Sequence, residues 1–535
     1  MERVPSTLPN DVEALKALVS SLYQTTLEQQ QRIGEQQAKL EHQSSLIDQL
    51  VEQIKLTRHK QYGASSEQWS ADQMRLFNEA EAIVDHEDGD TDTDADTIAV
   101  PAHRRKRGGR KPLPPELPRV EVVYELSGSE RVCPHDGSEL KVIGEVATEQ
   151  LDIIPAKVQV IRHIRRKYAC PCCDGTIKTA PMPAQPIPKS RVSPGLLAYI
   201  ITNKFVDALP LYRQEKIFDR IGVELPRTNQ AHWVIRAGQL VQPLINLMRD
   251  RLLAYDYLQL DESTVQVLKE PGKAPQSKSY IWVQRGGPPD NPLILYDYDS
   301  SRSQDVPLRL LEGYEGYLQT DGYSGYDPVG ALPGVIQVGC FAHARRKFDE
   351  AIKGQSKKRK STIAWCGLKF IQKLYEIERQ YKDGKPEARY RARLDQAKPI
   401  LTEMRKWLDE VLPQVPPETL TGKALTYLKN QWPKLIRYLD DGRLRIDNNL
   451  VENAIRPFVV GRKNFLFCDT VSGANASTNL YSLIETAKAN GTEPYQYLRD
   501  VFTKLPRAET VEEIEALLPH PIDLADTEKV KQAAA

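Results

Sequence analysis

The sequence predicts a multidomain α/β protein in which a core built on a mixed β-sheet is preceded by a long coiled-coil helix. Three observations carry this expectation. The chain has 535 residues, more than one hydrophobic core usually serves. A seven-residue apolar repeat occupies its start, and strand-like segments alternate with helical ones beyond Tyr255. Composition narrows the class further. With 40% hydrophobic and 27% charged residues, and no apolar run near the roughly 20 residues that span a bilayer, a soluble chain with no membrane partner is expected. Glu2, Pro5 and Asp11 stand where a secretory leader would be basic and then apolar, which predicts a cytoplasmic location. Seven cysteines, three of them clustered as Cys170, Cys172 and Cys173, suit reduced thiols or a metal knuckle better than a disulfide framework.

Residues 1–60 hold the repeat. Val12, Val19, Thr26, Ile33, Leu40, Ile47 and Ile54 share one heptad position, and Leu15, Leu22, Gln29, Gln36, Gln43 and Leu50 share the other. Such a helix needs a partner for its apolar seam, and self-association into a homodimer or higher oligomer is the simplest solution. Three Gln layers weaken the centre of that seam and favour a particular register or partner. Residues 61–118 form a linker, acidic over 85–96 and then basic as RRKRGGRK over 104–111. Arg104, Arg105, Lys106, Arg107, Arg110 and Lys111 are candidate DNA contacts there. A flexible glycine-containing backbone lets arginine enter a narrow minor groove, and a solvated linker is the alternative.

In residues 119–188, Cys133-Pro-His-Asp136 and Cys170-Pro-Cys-Cys173 flank a strand-like segment over 157–168, as in a zinc ribbon. Cys133, His135, Cys170 and Cys173 are the candidate ligands for a structural zinc. Asp136 occupies the place of a fourth cysteine, so either His135 or Asp136 completes the site, or the knuckle persists on packing without metal. Residues 189–250 turn helical, and the pattern over 216–239 is helix, short turn, helix. In a helix-turn-helix, Arg227, Thr228, Asn229 and Gln230 would open the second helix and face phosphates and base edges; an ordinary helical hairpin is the alternative.

Residues 251–355 and 441–505 compose the core, with a helical insertion over 356–440 and a tail over 506–535. Strands are predicted at 255–260, 280–284 and 293–298, a short helix near 305–311, and a fourth strand at 316–320. This order, with Asp261 ending the first strand and Asp321 following the fourth, is the RNase H-like plan, in which those two strands are neighbours. Phosphodiester cleavage by two hard cations needs clustered carboxylates. Asp261, Asp321 and Glu452 are the candidates for two Mg2+ (or Mn2+) ions. Glu262 is the rival at the first position, and strand alternation lets only one of that pair face the metals. Asn448, Glu452 and Arg456 are spaced four apart, which puts amide, carboxylate and guanidinium on one helix face; a surface ion pair is the plainer alternative.

Long runs carry a resemblance. LPLYRQE (209–215), LDEST (260–264), LQTDGYSGY (318–326), CFAHARRKF (340–348), IDNNLVENAIRP (446–457), GRKNFLF (461–467) and SLIETAKANGTEPYQYL (482–498) resemble insertion-sequence family sixty-six (IS66 type), a group of DDE transposases. The likeness covers nearly the whole chain. It implies that the family's metal-binding triad falls on Asp261, Asp321 and Glu452, that terminal inverted repeats and target DNA are the partners, and that accessory proteins accompany the element. Cys340 and His343 match a signature near the family's core. Two side chains make no full zinc site, so Cys340 is expected to pack and His343 to make a polar contact, to DNA or to the triad, with metal binding by the pair as the alternative. Arg345, Arg346, Arg462 and Lys463 are further candidates for phosphate. The expected chemistry is hydrolysis of one strand at each element end, then attack of the freed 3′-hydroxyl on target DNA. A DNA-binding regulator with a decayed core and a simple nuclease without a joining step are the rivals.

Overall fold

The computed structural model describes residues 11–62, 157–169, 177–354 and 362–519, together with 98–100, 103–105 and positions 121, 123, 135 and 138. Cys133, Cys170 and Cys173, as well as Lys106, Arg107, Arg110 and Lys111, lie outside the described residues. His135 is described and exposed. The architecture is mixed α/β, with no helix long and apolar enough to cross a membrane among the described residues.

The seven-residue repeat forms one continuous helix, α1 (Val12–Tyr62), with a single glycine and no proline to interrupt it. Its heptad positions are uncovered: Val19 is 62% exposed, Leu40 63% and Ile47 60%. The far end is engaged. Leu56 is buried, and the Glu52 carboxylate accepts a hydrogen bond from the backbone N–H of Leu420 at 3.1 Å. Residues 65–162 are a unit of their own. Within it Ile98–Val100 (β1) pairs antiparallel with His103–Arg105 (β2), where the sequence predicts only an extended linker. In the main unit, Lys167–Ala169 (β3) pairs with Ile177–Thr179 (β4), flanking the segment that contains Cys170 and Cys173. Residues 157–166 belong to no strand, so the predicted strand shrinks to its last residues.

Four helices follow: α2 (Pro194–Phe205), α3 (Leu211–Arg220), α4 (Arg227–Leu240) and α5 (Gln242–Leu253). Gly222 turns the chain after α3 at φ +78°, a conformation open to glycine without a Cβ penalty. The sheet then begins with β5 (Tyr257–Lys269), β6 (Lys278–Gly286) and β7 (Leu293–Asp299), each antiparallel to the one before. After α6 (Asp305–Leu310), β8 (Gly316–Gln319) lies parallel to β5, and β9 (Val335–Val338) lies parallel to β8. The strand order is therefore β7-β6-β5-β8-β9. β5 is much longer than predicted because Thr264, Val265 and Gln266 continue the ladder to β6, so Asp261 sits in mid-strand, opposite Val283.

Beyond β9 come α7 (Phe341–Gly354), α8 (Ile363–Gln380), α9 (Pro386–Ala392), α10 (Lys398–Val411), α11 (Leu420–Leu435), α12 (Asn449–Phe465), β10 (Cys468–Thr470), α13 (Val471–Ala489), α14 (Pro494–Lys504) and α15 (Val511–Glu515). β10 extends the sheet beside the far end of β5. Two hydrophobic cores result. One joins the sheet residues Leu258, Leu260, Trp282 and Leu295 to α2–α5 and α12–α14. The other fills the helical insertion with Phe348, Ile371, Leu401 and Leu428.

Polar groups fasten the edges of both. The edge strand β7 needs partners for its outer backbone groups, and α13 supplies them with hydroxyls one helical turn apart. Thr486 Oγ1 accepts from Ile294 N at 3.0 Å and donates to Ile294 O at 2.9 Å, while Ser482 Oγ accepts from Tyr296 N at 2.8 Å. In the insertion, a π-helical turn (Arg393–Ala397) follows α9 and points the fully buried Arg393 inward. Its guanidinium pairs with both oxygens of Glu378 and donates to the carbonyls of Tyr438, Asp441 and Leu444, each at 2.7–2.8 Å. Those carbonyls belong to the loop that delivers α12.

Candidate active site

β5, the turn after β8, and the first turn of α12 each bring one acid to the same place. Asp261 projects from β5, its Oδ1 accepting the N–H of Glu262 at 2.8 Å. Asp321 follows β8 by two residues and turns the chain, its Oδ1 accepting the N–H of Tyr323 at 2.9 Å. Glu452 lies in the first turn of α12, where a helix N-terminus tolerates negative charge. Burial raises the Asp261 carboxyl well above the usual carboxylate range, and the negative charges of Glu262, Glu452 and Asp321 push the same way.

Glu262 is already neutralised. Arg302 Nε donates to its Oε1 at 2.6 Å, Tyr326 donates its hydroxyl to Oε2, and the Arg302 guanidinium stacks on the Tyr323 ring at 3.8 Å. Among the described residues no lysine or arginine forms an ion pair with Asp261, Asp321 or Glu452, whereas Glu262 has its own. Glu452 Oε1 is buried and has no hydrogen-bond partner. A buried Asp261 within electrostatic reach of Asp321 and Glu452, with one orphaned oxygen and no lysine or arginine paired to the three among the described residues, fits a divalent cation by charge and by donor type.

What holds the acids together is a pair of buried glutamines that the sequence reading missed. Gln259 and Gln319 stand two residues before Asp261 and Asp321 and are direct partners in the β5–β8 ladder. Gln259 Nε2 donates to Gln319 Oε1 at 2.7 Å, and Gln319 Nε2 donates to Arg445 O at 2.9 Å. Gln259 Oε1 accepts Val451 N at 3.1 Å, one residue before Glu452. The two amides thus tie both acid-bearing strands to the loop and helix that carry the third acid. The visible signal is the repeated spacing, Gln-Leu-Asp and Gln-Thr-Asp.

Asn448 adds a fourth link. It is fully buried, immediately precedes α12 without a side-chain capping bond, and donates from Nδ2 to Leu260 O at 3.3 Å, so it does not share an exposed face with Glu452 and Arg456 as its spacing predicts. Cys340 packs as predicted. Its Sγ accepts Asn448 N at 3.3 Å, and burial pushes the thiol up to about 12. His343 stands beside Glu452, with Nδ1 3.8 Å from Oε1, and burial lowers its pKa. The insertion also reaches the site, since the Tyr427 ring of α11 packs so closely on Gly322 that a Cβ there would lie 2.6 Å from it.

The predicted DNA contacts divide. Arg345, Arg346 and Lys463 are exposed, Arg456 is half-buried, and Arg227, Thr228 and Asn229 are exposed at the start of α4. Gln230 is not available to a base edge, because it is fully buried and its amide donates to Leu225 O at 2.9 Å. Arg462 also turns inward, and its guanidinium donates to Ser263 Oγ at 3.3 Å, to Thr264 Oγ1 at 2.9 Å and to the Thr264 carbonyl, clamping α12 to β5. Arg104 and Arg105 are described only as backbone of β2.

Comparison with known proteins adds a family. The model of the "Transposase IS66 family" matches residues 189–476. The "zinc-finger binding domain of transposase IS66" matches 130–174, which contains Cys133, His135, Cys170 and Cys173. The "IS66 C-terminal element" matches 482–520, and "Transposase C of IS166 homeodomain" matches 49–122. Among curated relatives, the uncharacterized protein y4qI of Sinorhizobium fredii is 31% identical, over 96% of this chain and 97% of its own length. The uncharacterized protein y4jD of the same organism is 32% identical, over 76% of this chain and 81% of its own.

Proposed function

The chain belongs to the IS66 transposase family, and from that premise we propose that it is a DDE transposase with an RNase H-like core, in which Asp261, Asp321 and Glu452 bind two divalent cations and cut and rejoin DNA. The observation that carries this reading is the meeting of three acids from β5, the β8 turn and α12, none of them paired with a lysine or arginine among the described residues. The strand order supports it too, since β5, β6 and β7 run antiparallel and β8 returns beside β5 in parallel.

Divalent cations held there supply Lewis-acid polarisation of the phosphate and activation of the attacking oxygen. The residues of the chain do the rest. Gln259, Gln319 and Asn448 keep the carboxylates in register, and Arg302 removes Glu262 from competition. Exposed Arg345, Arg346 and Lys463, with Arg456 on α12, are the proposed phosphate contacts that seat DNA. In the first step a water oxygen bonds to phosphorus at an element end, the P–O3′ bond breaks, and the 3′-hydroxyl leaves with a proton. In the second that 3′-hydroxyl gives up its proton as its oxygen bonds to a target phosphorus, and the target's own 3′-oxygen is displaced and takes a proton.

Asp261→Asn tests the assignment. Binding to element-end DNA should persist, while cleavage and joining of pre-cut ends both fall by roughly a thousandfold, about 4 kcal/mol of barrier. Cleavage at the wild-type rate sinks the assignment, and loss of cleavage with intact joining points to a different machinery for the second step.

A further inference from the structure

His343 and Glu452 approach each other from the first turns of two different helices, α7 and α12. His343 Nδ1 lies 3.8 Å from Glu452 Oε1, beyond hydrogen-bonding distance. Each of these atoms is buried, and neither has a partner of its own. Two orphaned polar atoms facing one another cost free energy unless something sits between them. A single cation that takes a nitrogen and a carboxylate oxygen as donors would satisfy both atoms at once.

Cys340 Sγ gathers with them, the three ligand atoms lying within 4.8 Å of one another. Its sulfur accepts N–H groups from Asn448 and His343, and the hard divalent cations that carboxylates bind take oxygen and nitrogen donors before sulfur. Its place is structural. By holding the amide just before α12 and the amide of His343 on α7, one buried sulfur fixes the spacing of the two helix starts.

We infer that His343 is a ligand of the divalent cation held at Glu452, giving that position a mixed nitrogen and oxygen donor set that favours Mn2+ over Mg2+. Mg2+ takes oxygen donors and keeps its waters, whereas imidazole suits first-row transition ions. The inference rests on the triad reading above and adds to it the identity of a fourth donor and a metal preference.

The test uses the full chain and Mn2+ as probe, read by electron paramagnetic resonance for bound Mn2+ and for nitrogen coupling to it. Wild type should bind Mn2+ with a directly coordinated nitrogen. His343→Ala should lose that coupling and weaken Mn2+ binding by about tenfold while Mg2+ competition is little changed. His343→Gln, which keeps the volume and offers oxygen, should also lose the coupling and serves if the alanine variant fails to fold. Bound Mn2+ without nitrogen coupling in wild type, or coupling that survives both substitutions, overturns the inference and leaves the triad standing. No Mn2+ binding by wild type, or binding unaffected by Asp261→Asn, overturns both.

Discussion

Asp261 is placed where a carboxylate is reluctant to carry its charge. Burial comes first among the reasons, followed by Glu262, Glu452 and Asp321, and all of them raise its pKa. A folded-state pKa above the unfolded value means that the folded chain holds this proton more tightly. The group's contribution to stability is therefore present at acid pH and is lost as pH rises from the ordinary aspartate value through the raised one. In chelator at about pH 8, Asp261→Asn should melt above wild type because it removes like-charge repulsion, and Mn2+ should raise the wild type more than the variant. Thermal melts at acid and alkaline pH check this, and a lower melting point for the variant in chelator at about pH 8 contradicts it. All three acids of the proposed triad are legible from the order of strands and from long matching runs. Their supports are not. Gln259 and Gln319 look like ordinary polar strand residues until the β5–β8 register makes them partners, and that register is a tertiary fact.

Element by element, types were easier to read than faces. Periodicity locates β5 to β8 and starts α4 at Arg227, but Asp261 moves from a strand end to mid-strand because β6 continues the ladder past it. Gln230 illustrates how a face is misassigned. It shares a buried stripe with Trp233, Val234 and Ala237, the i, i+3, i+4, i+7 spacing of a packed face, so the phase of α4 already argued against an outward role. α13 shows the converse, where Ser482 and Thr486, two of several hydroxyl residues in a largely buried helix, prove to be the partners of the β7 edge. Thr486→Val keeps the shape but strands the N–H and C=O of Ile294, and should cost about 1–3 kcal/mol in chemical denaturation. A loss within a few tenths of a kcal/mol would mean that water replaces the hydroxyl there.

Across the whole molecule, the helical insertion and the core are coupled through one loop. Arg393 holds the carbonyls of Tyr438, Asp441 and Leu444, and Gln319 holds that of Arg445, so the segment entering α12 is gripped from both sides. The insertion's helices are legible in composition, whereas this grip is not, since a buried arginine has no periodic signature. α1 extends beyond both cores with its heptad seam exposed, and we propose that a second copy covers it. Leu22→Asp with Ile47→Asp should convert the sedimenting oligomer to monomers while leaving the sheet domain's melting unchanged; an unaltered mass moves the interface elsewhere. The proposal that the acids bind cations meets its most direct trial in Asp321→Cys, assayed for cleavage of element-end DNA in Mg2+ and in Mn2+. A thiolate in place of a ligating carboxylate should abolish Mg2+-supported cleavage and recover at least about tenfold in Mn2+, since softer ions accept sulfur. Equal activity of variant and wild type in Mg2+ would contradict a metal-binding role for Asp321.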